Sequence, residues 1–200
     1  MNTKLVYLAS QSPRRQQLLT QIGIPFELLL PTDAQAAEDL EQVLPGEKPL
    51  AYVQRVTLLK LKAAKSQLQQ SRREVHPILC ADTTVVLGHE ILGKPADAAE
   101  ATQMLSRLSG QTHQVLTALA LSDGRRIHRT VSRSKVVFAT LSDSEIADYV
   151  ASGEPMGKAG AYGIQGLAAC FVKSIQGSYS GIMGLPLYET NQLLRRLAKD

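Results

Sequence analysis

Tryptophan is absent from the 200-residue chain, and aromatic residues make up only 4% of it. That leaves few platforms for the base stacking on which single-strand nucleic-acid binders rely. There are two cysteines, Cys80 and Cys170, and neither has a CxxC or CxxH neighbour. A disulfide framework and a thiolate metal knuckle are therefore excluded, and both cysteines, set in apolar runs, are expected to be core residues. The four histidines show no metal-ligand spacing and no serine occupies a nucleophile elbow, so covalent hydrolase chemistry has no support. Long apolar runs are missing as well. The amino-terminal stretch Leu5 to Ala9 is too short for a signal-peptide core or a membrane span, and the chain is expected to be cytoplasmic. Twenty-two basic against 18 acidic residues leave a formal charge of +4. This mild excess favours anionic partners without choosing between nucleotides and nucleic acid.

What the chain does have is 44% hydrophobic residues, enough for a sizeable core, and a length that fits one domain, taken as 1–200. Lys4 to Ala9 reads as a buried strand, and Ser12-Pro13 opens a helix through about Gln21 with Gly23 beyond it. Pro31 to Pro49 lacks a clear period and reads as a loop bordering a site, ahead of a long helix near Leu50 to Gln70. Ile78 to Ala81 is a second buried strand, and Val85–Leu87 with Ile91-Leu92 forms a hairpin around Gly88-His89, leaving Asp82 between them. A helix over Asp97–Leu108 stops at Gly110, and strands at Gln114–Leu121 and Arg126–Ala139 pair through Asp123-Gly124. Ser142 and Glu145 have capping-box spacing, which predicts a helix from about Asp143 to Ser152. A glycine-rich loop, a strand over Leu167–Ile175 and a closing helix over Leu187–Ala198 complete the chain. Hairpins together with crossovers imply an α/β fold with a mixed sheet flanked by helices.

Chemistry concentrates in four places. Ser10, Ser12, Pro13, Arg14 and Arg15 stand at the mouth of the first helix, where free N–H groups, the positive helix end and two forked guanidinium groups suit phosphate oxygens. An ordinary capped helix with solvated arginines is the competing reading. Lys60 falls on the apolar stripe shared by Leu50, Val53, Val56 and Ala64, so it either meets a carboxylate or phosphate at the core edge or snorkels to solvent. Lys62 and Lys65 lie off the stripe and are expected in solvent. Asp82 follows a buried run, at a strand end where a carboxylate can hold a divalent metal or take a proton from water, or else merely stabilise a turn. Thr83 and Thr84 add hydroxyls there, and Lys94, in Gly93-Lys94-Pro95, is placed to return to the same cleft. Finally, Gly157, Gly160, Gly163 and Gly166 recur every third position around Lys158, Tyr162 and Gln165. That spacing permits close backbone approach, and Gln165 could offer a donor and an acceptor to a base edge, unless the loop is simply flexible or tightly packed.

Taken together, Leu8-Ala9-Ser10-Gln11-Ser12-Pro13-Arg14-Arg15, Ala81-Asp82-Thr83, Gly93-Lys94-Pro95, Leu108-Ser109-Gly110, Gly160-Ala161-Tyr162-Gly163-Ile164-Gln165-Gly166 and Gly184-Leu185-Pro186 resemble the Maf family of nucleoside triphosphate pyrophosphatases. The resemblance implies an elongated two-lobed α/β fold with a central cleft, a homodimer, and metal-assisted attack of water at an α-phosphorus, with Mg²⁺ or Mn²⁺ as cofactor. It implies Asp82 as the catalytic carboxylate and candidate metal ligand, and Ser10, Arg15, Lys60 and Lys94 around the phosphates. Arg14, Thr83 and Gln165 match the branch acting on dTTP and UTP rather than on 7-methyl-GTP. One departure stands out: many family members carry an acidic pair where this chain has Ala34-Gln35. Asp33 and Glu38 are the nearby carboxylates that would substitute in the metal shell, or the ion depends more on Asp82. Two other functions are compatible with a basic cleft: a nucleic-acid- or partner-binding regulator of septum formation and cell division, and a phosphosugar or cofactor-phosphate hydrolase without the base-reading role of Gln165. Metal-dependent pyrophosphate release in the absence of any partner separates them.

Overall fold

The computed structural model describes residues 5–197. Lys4 and Ala198, the outer limits expected for the first strand and last helix, lie outside the described residues. The sheet has seven strands in the order β2-β1-β3-β5-β6-β7, with β4 attached to β3. The strands are β1 (Val6–Leu8), β2 (Phe26–Leu28), β3 (Ile78–Leu87), β4 (Glu90–Leu92), β5 (Thr112–Ser122), β6 (Ile127–Phe138) and β7 (Val172–Gln176). β1 runs parallel to β2 and β3, and the remaining pairs are antiparallel. The sheet is mixed, as the combination of crossovers and hairpins requires.

The helices are α1 (Pro13–Gln21), α2 (Ala34–Asp39), α3 (Pro49–Gln70), α4 (Ala98–Leu108), α5 (Asp143–Ala151), α6 (Tyr179–Met183) and α7 (Leu187–Leu197). Proline at the first position opens α1 and α3, where its missing N–H costs no helical bond. α5 carries the full capping box between Ser142 and Glu145. Alternation along the strands sends side chains to two faces. On one face Leu61, Ala64 and Leu68 of α3 cover Tyr7, Cys80 and Ala120, while Val53 and Val56 cover Val86, Leu116 and Ala118. On the other, Leu18 and Leu19 of α1 and Leu193 and Leu194 of α7 pack on Val6, Leu8, Leu79, Ala81 and Leu119. A fourth cluster joins Leu105 and Leu108 of α4 and Ile146 and Tyr149 of α5 to Val85, Val115, Val136 and Phe138.

Four expectations change. The loop expected over Pro31–Pro49 contains α2, and β2 and α6 were not anticipated; all three are only three to six residues long, too short to show a period. Leu167–Phe171 is a 3-10 turn rather than the beginning of a strand, and β7 starts at Val172. Cys170 within that turn is exposed; only Cys80 belongs to the core. Most consequentially, β3 does not stop at Ala81 but continues for ten residues, so Asp82 lies within a strand, opposite Ala118 of β5.

Candidate functional site

The interruption that displays Asp82 occurs in its neighbour. β1 pairs with β3 only as far as Leu8 against Leu79, and beyond that point the edge of β3 is free to line a cleft. Strand alternation then divides two adjacent residues between the faces: Asp82 points toward α3 and meets Lys60, while Thr83 points toward α1 and meets Arg15. The cleft wraps around this edge with a volume of about 930 Å³, and its lining includes Ser10, Arg14, Arg15, Lys60, Asp82, Thr83, Lys94 and Gln165. The eight residues that the family resemblance assigns to catalysis or substrate thus share one cavity.

On the α3 side, Lys60 Nζ donates to Asp82 Oδ1 at 2.6 Å and to Glu41 Oε1 at 2.7 Å. Lys94 Nζ donates to Glu41 Oε2 at 2.7 Å. Burial works against the Lys60 ammonium, but Asp82 and then Glu41 outweigh it and hold its pKa above the ordinary lysine value. For Glu41, burial is likewise opposed, chiefly by Lys60, and its pKa lies below the usual carboxylate value. The inward reading of Lys60 therefore holds, and Lys94 does return to the cleft.

Glu41 is the residue that sequence reasoning missed. Asp33 is occupied in capping α2, accepting from Ala36 N at 3.0 Å, and Glu38 is exposed. Glu41 lies just after α2, in a segment that α3 fastens in place. Tyr52 donates its hydroxyl to Glu41 O at 2.8 Å. Arg55 donates to Gln42 O at 2.8 Å and grips both carboxylate oxygens of Glu47 at 2.6 and 2.7 Å. No motif marks this arrangement; the run of Glu38, Asp39, Glu41 and Glu47 was its only trace.

On the α1 side, Arg15 reaches inward from the first turn. It donates to Ser10 Oγ at 2.9 Å, to Gly184 O at 2.8 Å and, at the long distance of 3.4 Å, to Thr83 Oγ1. Burial lowers its pKa, opposed by Asp82. Thr117 donates its one hydroxyl proton to Gly181 O at 2.7 Å, so the 2.9 Å contact between Thr83 and Thr117 must be donated by Thr83. That leaves Thr83 an acceptor facing Arg15. Arg14 points Nε at Met183 O, 3.4 Å away. The first-turn N–H groups of α1 have no partner within the helix, and together with Arg14 and Arg15 they make a corner whose chemistry suits an anion.

The glycine-rich loop closes the third side, and it is tightly packed. Gly160, at φ 68°, donates to Gly93 O at 2.9 Å, and a Cβ there would stand 2.8 Å from a Val85 methyl. Gln165 is exposed within the cleft lining, and its amide makes no hydrogen bond among the described residues.

A mixed-sheet α/β protein with a cation-lined cleft and two carboxylates on a part-buried lysine has the make-up of a class that takes polyanionic substrates. A model of the Maf family, described as Maf-like protein, matches residues 5–197, and the chain belongs to that family. It is 55% identical over 193 residues to the dTTP/UTP pyrophosphatase of Albidiferax ferrireducens, covering 96% of each chain. It is 60% identical over 195 residues to the dTTP/UTP pyrophosphatase of Ralstonia nicotianae, covering 96% of this chain and 94% of that one. Among solved structures, a nucleoside-triphosphatase / dITP/XTP pyrophosphatase from Mycobacterium abscessus is a distant neighbour, with a TM-score of 0.44 at 15% identity, over 69% of this chain and 76% of that one. No helix among the described residues is long and apolar enough to cross a membrane.

Proposed function

We propose that this chain, as a single cytoplasmic catalytic unit assembled into a homodimer, hydrolyses dTTP and UTP to the nucleoside monophosphate and pyrophosphate. The observation that carries the reading is the cluster of Lys60, Asp82, Glu41 and Lys94, in which two ammonium groups and two carboxylates meet in one cleft beside Arg15. The names of the relatives supply the base. In the reaction, a water oxygen forms a bond to the α-phosphorus, the bond from that phosphorus to the bridging oxygen breaks, and pyrophosphate leaves. In this reading Asp82 accepts the water's proton, and Lys60, Lys94 and Arg15 bind phosphate oxygens as charge moves onto the leaving group.

Among the described residues no three His, Cys, Asp or Glu side chains converge on one point, so a divalent cation would be held by two carboxylates with the substrate completing its shell. Asp82 and Glu41 each place an oxygen within 2.7 Å of the same ammonium, and such a pair of hard oxygen donors, completed by phosphate and water, suits Mg²⁺ or Mn²⁺. When bound, that ion would neutralise charge building toward the pyrophosphate. Ser10 keeps Arg15 aimed inward, and Arg14, Thr83 and Gln165 face the nucleoside, with Gln165 presenting a free donor and acceptor to a uracil-type edge. The test is a panel of common and modified nucleoside triphosphates with Mg²⁺ or Mn²⁺, resolved into monophosphate, diphosphate, phosphate and pyrophosphate. Fastest conversion of dTTP and UTP to monophosphate and pyrophosphate is expected. Orthophosphate release, or faster turnover of 7-methyl-GTP than of dTTP, would overturn the reading.

A further inference from the structure

Gln165 has no bond of its own to hold it, yet the backbone beneath it is fixed at several points. Gly166 N donates to Gly163 O at 3.0 Å, closing a tight turn in which Ile164 and Gln165 are the central residues. Ile164 is buried in the core and Gln165 faces out. Both ends of this turn are attached to one carboxylate. Glu154 Oε2 accepts from Leu167 N at 3.0 Å. Its other oxygen accepts from the buried Tyr149 hydroxyl at 2.9 Å, and that hydroxyl accepts in turn from Gly163 N at 3.2 Å. The carboxylate occupies the space a side chain at 166 would need: a Cβ on Gly166 would lie 2.3 Å from Glu154 Oε2. Lys158, whose stem packs against Gly163, donates its ammonium to the backbone carbonyl of Glu154. Neither Glu154 nor Tyr149 belongs to the phosphate-binding cluster.

The geometry points to Glu154 and Tyr149 as a positioning pair that fixes the backbone from which Gln165 reaches a pyrimidine edge, so that they govern base preference rather than the chemical step. The inference rests on the proposed contact between Gln165 and the base. A carboxylate is suited to the role because it accepts from two donors at once; the amide of a glutamine would direct an NH₂ group at one of them. A backbone fixed before the ligand arrives avoids the cost of ordering the turn on binding and leaves only the side-chain torsions to be set.

The experiment measures kcat/KM for dTTP and for dATP, together with Tm, in the wild type and in Glu154→Gln, Tyr149→Phe, Gln165→Ala and the Glu154→Gln/Gln165→Ala double variant. Gln165→Ala is expected to lower the dTTP to dATP ratio about tenfold, and Glu154→Gln and Tyr149→Phe to lower it in the same direction. In the double variant the ratio should fall no further than in Gln165→Ala alone, because the pair acts through that side chain. If Gln165→Ala lowers the ratio while both pair variants keep the wild-type value, the positioning role is wrong and the base contact stands. If the pair variants slow both substrates by the same factor, their role is structural and the inference also fails. An unchanged ratio in Gln165→Ala removes the base contact and the inference with it. Should Glu154→Gln fail to fold, Tyr149→Phe, which retains the bond from Leu167 to the carboxylate, decides the matter on the same ratio.

Discussion

Lys60 and Asp82 stand 2.6 Å apart across the cleft, one from the middle of α3 and the other from the middle of β3. The side chains are only 19% and 9% exposed, and Asp82, with Glu41, offsets the burial that would otherwise disfavour the Lys60 ammonium. Under the proposed function, a phosphate bound at Lys60 would compete with Asp82 for the same ammonium, so that substrate binding would free the carboxylate as it engages the lysine.

Asp82→Asn keeps the shape of the side chain but removes its ability to take a proton or match a cation. Turnover of dTTP should fall by about two to four orders of magnitude with the fold retained. Steady-state kinetics beside a thermal melt checks this, and near-normal turnover would sink the role given to Asp82.

Lys60→Ala and Arg15→Ala each remove a charged donor from the phosphate region. Each should lower kcat/KM for dTTP by about tenfold or more, in line with about 1.5–3 kcal/mol for a charge-assisted bond. Lys60→Ala should also lower Tm, because it leaves Asp82 and Glu41 facing each other. Subsaturating rates that match the wild type would return both residues to ordinary structural roles.

Glu41→Gln tests the carboxylate that emerged only with the fold. The concentration of Mn²⁺ needed for half-maximal rate should rise, and Mn²⁺ binding in the presence of product monophosphate, followed by electron paramagnetic resonance, should weaken in parallel. Unchanged metal affinity together with a reduced rate would restrict Glu41 to holding Lys60 and Lys94.

His113 provides a prediction about pH remote from the reacting groups. It is buried beside Phe138, with Nε2 2.8 Å from the Tyr162 hydroxyl, and burial lowers its pKa from 6.5 to about 4. Between those values the unfolded chain binds the proton and the folded chain does not. His113 therefore costs no stability above about pH 6.5, and stability falls as the pH drops toward 4, by about 1.4 kcal/mol per pH unit from this group. Chemical denaturation across that range should show a shallower dependence in His113→Gln; an equal slope in both proteins would contradict the assignment.

Long periodic elements and chemically marked termini were legible in the sequence. Pro13 marked the start of α1, Ser142 and Glu145 marked α5, and the stripe through Val53, Val56 and Ala64 turned Lys60 inward. The extent of β3 was not legible, because an aspartate is unfavourable inside a strand; the lysine that makes it tolerable comes from 22 residues away. The same long-range logic hid Glu41, whose partners Lys60 and Lys94 follow it by 19 and 53 residues. Cys170 misled for a local reason: its apolar neighbours form a 3-10 turn that exposes some members of the run while burying Ala168 and Phe171.

The attachment of residues 40–47 to Tyr52 and Arg55 means that Glu41 is indexed to α3 and not to the strand before it. Insertions or deletions between Pro31 and Asp33, ahead of α2, would change a connection whose closure cost grows by only about 0.6 kcal/mol per doubling of length, and they would leave the carboxylate where it is. An insertion between Arg55 and Lys60 would rotate one against the other by about 100° and pull Glu41 away from its lysine. Among related chains, a counterpart of Glu41 is therefore to be found by counting backward from the long helix, and gaps ahead of it carry little weight.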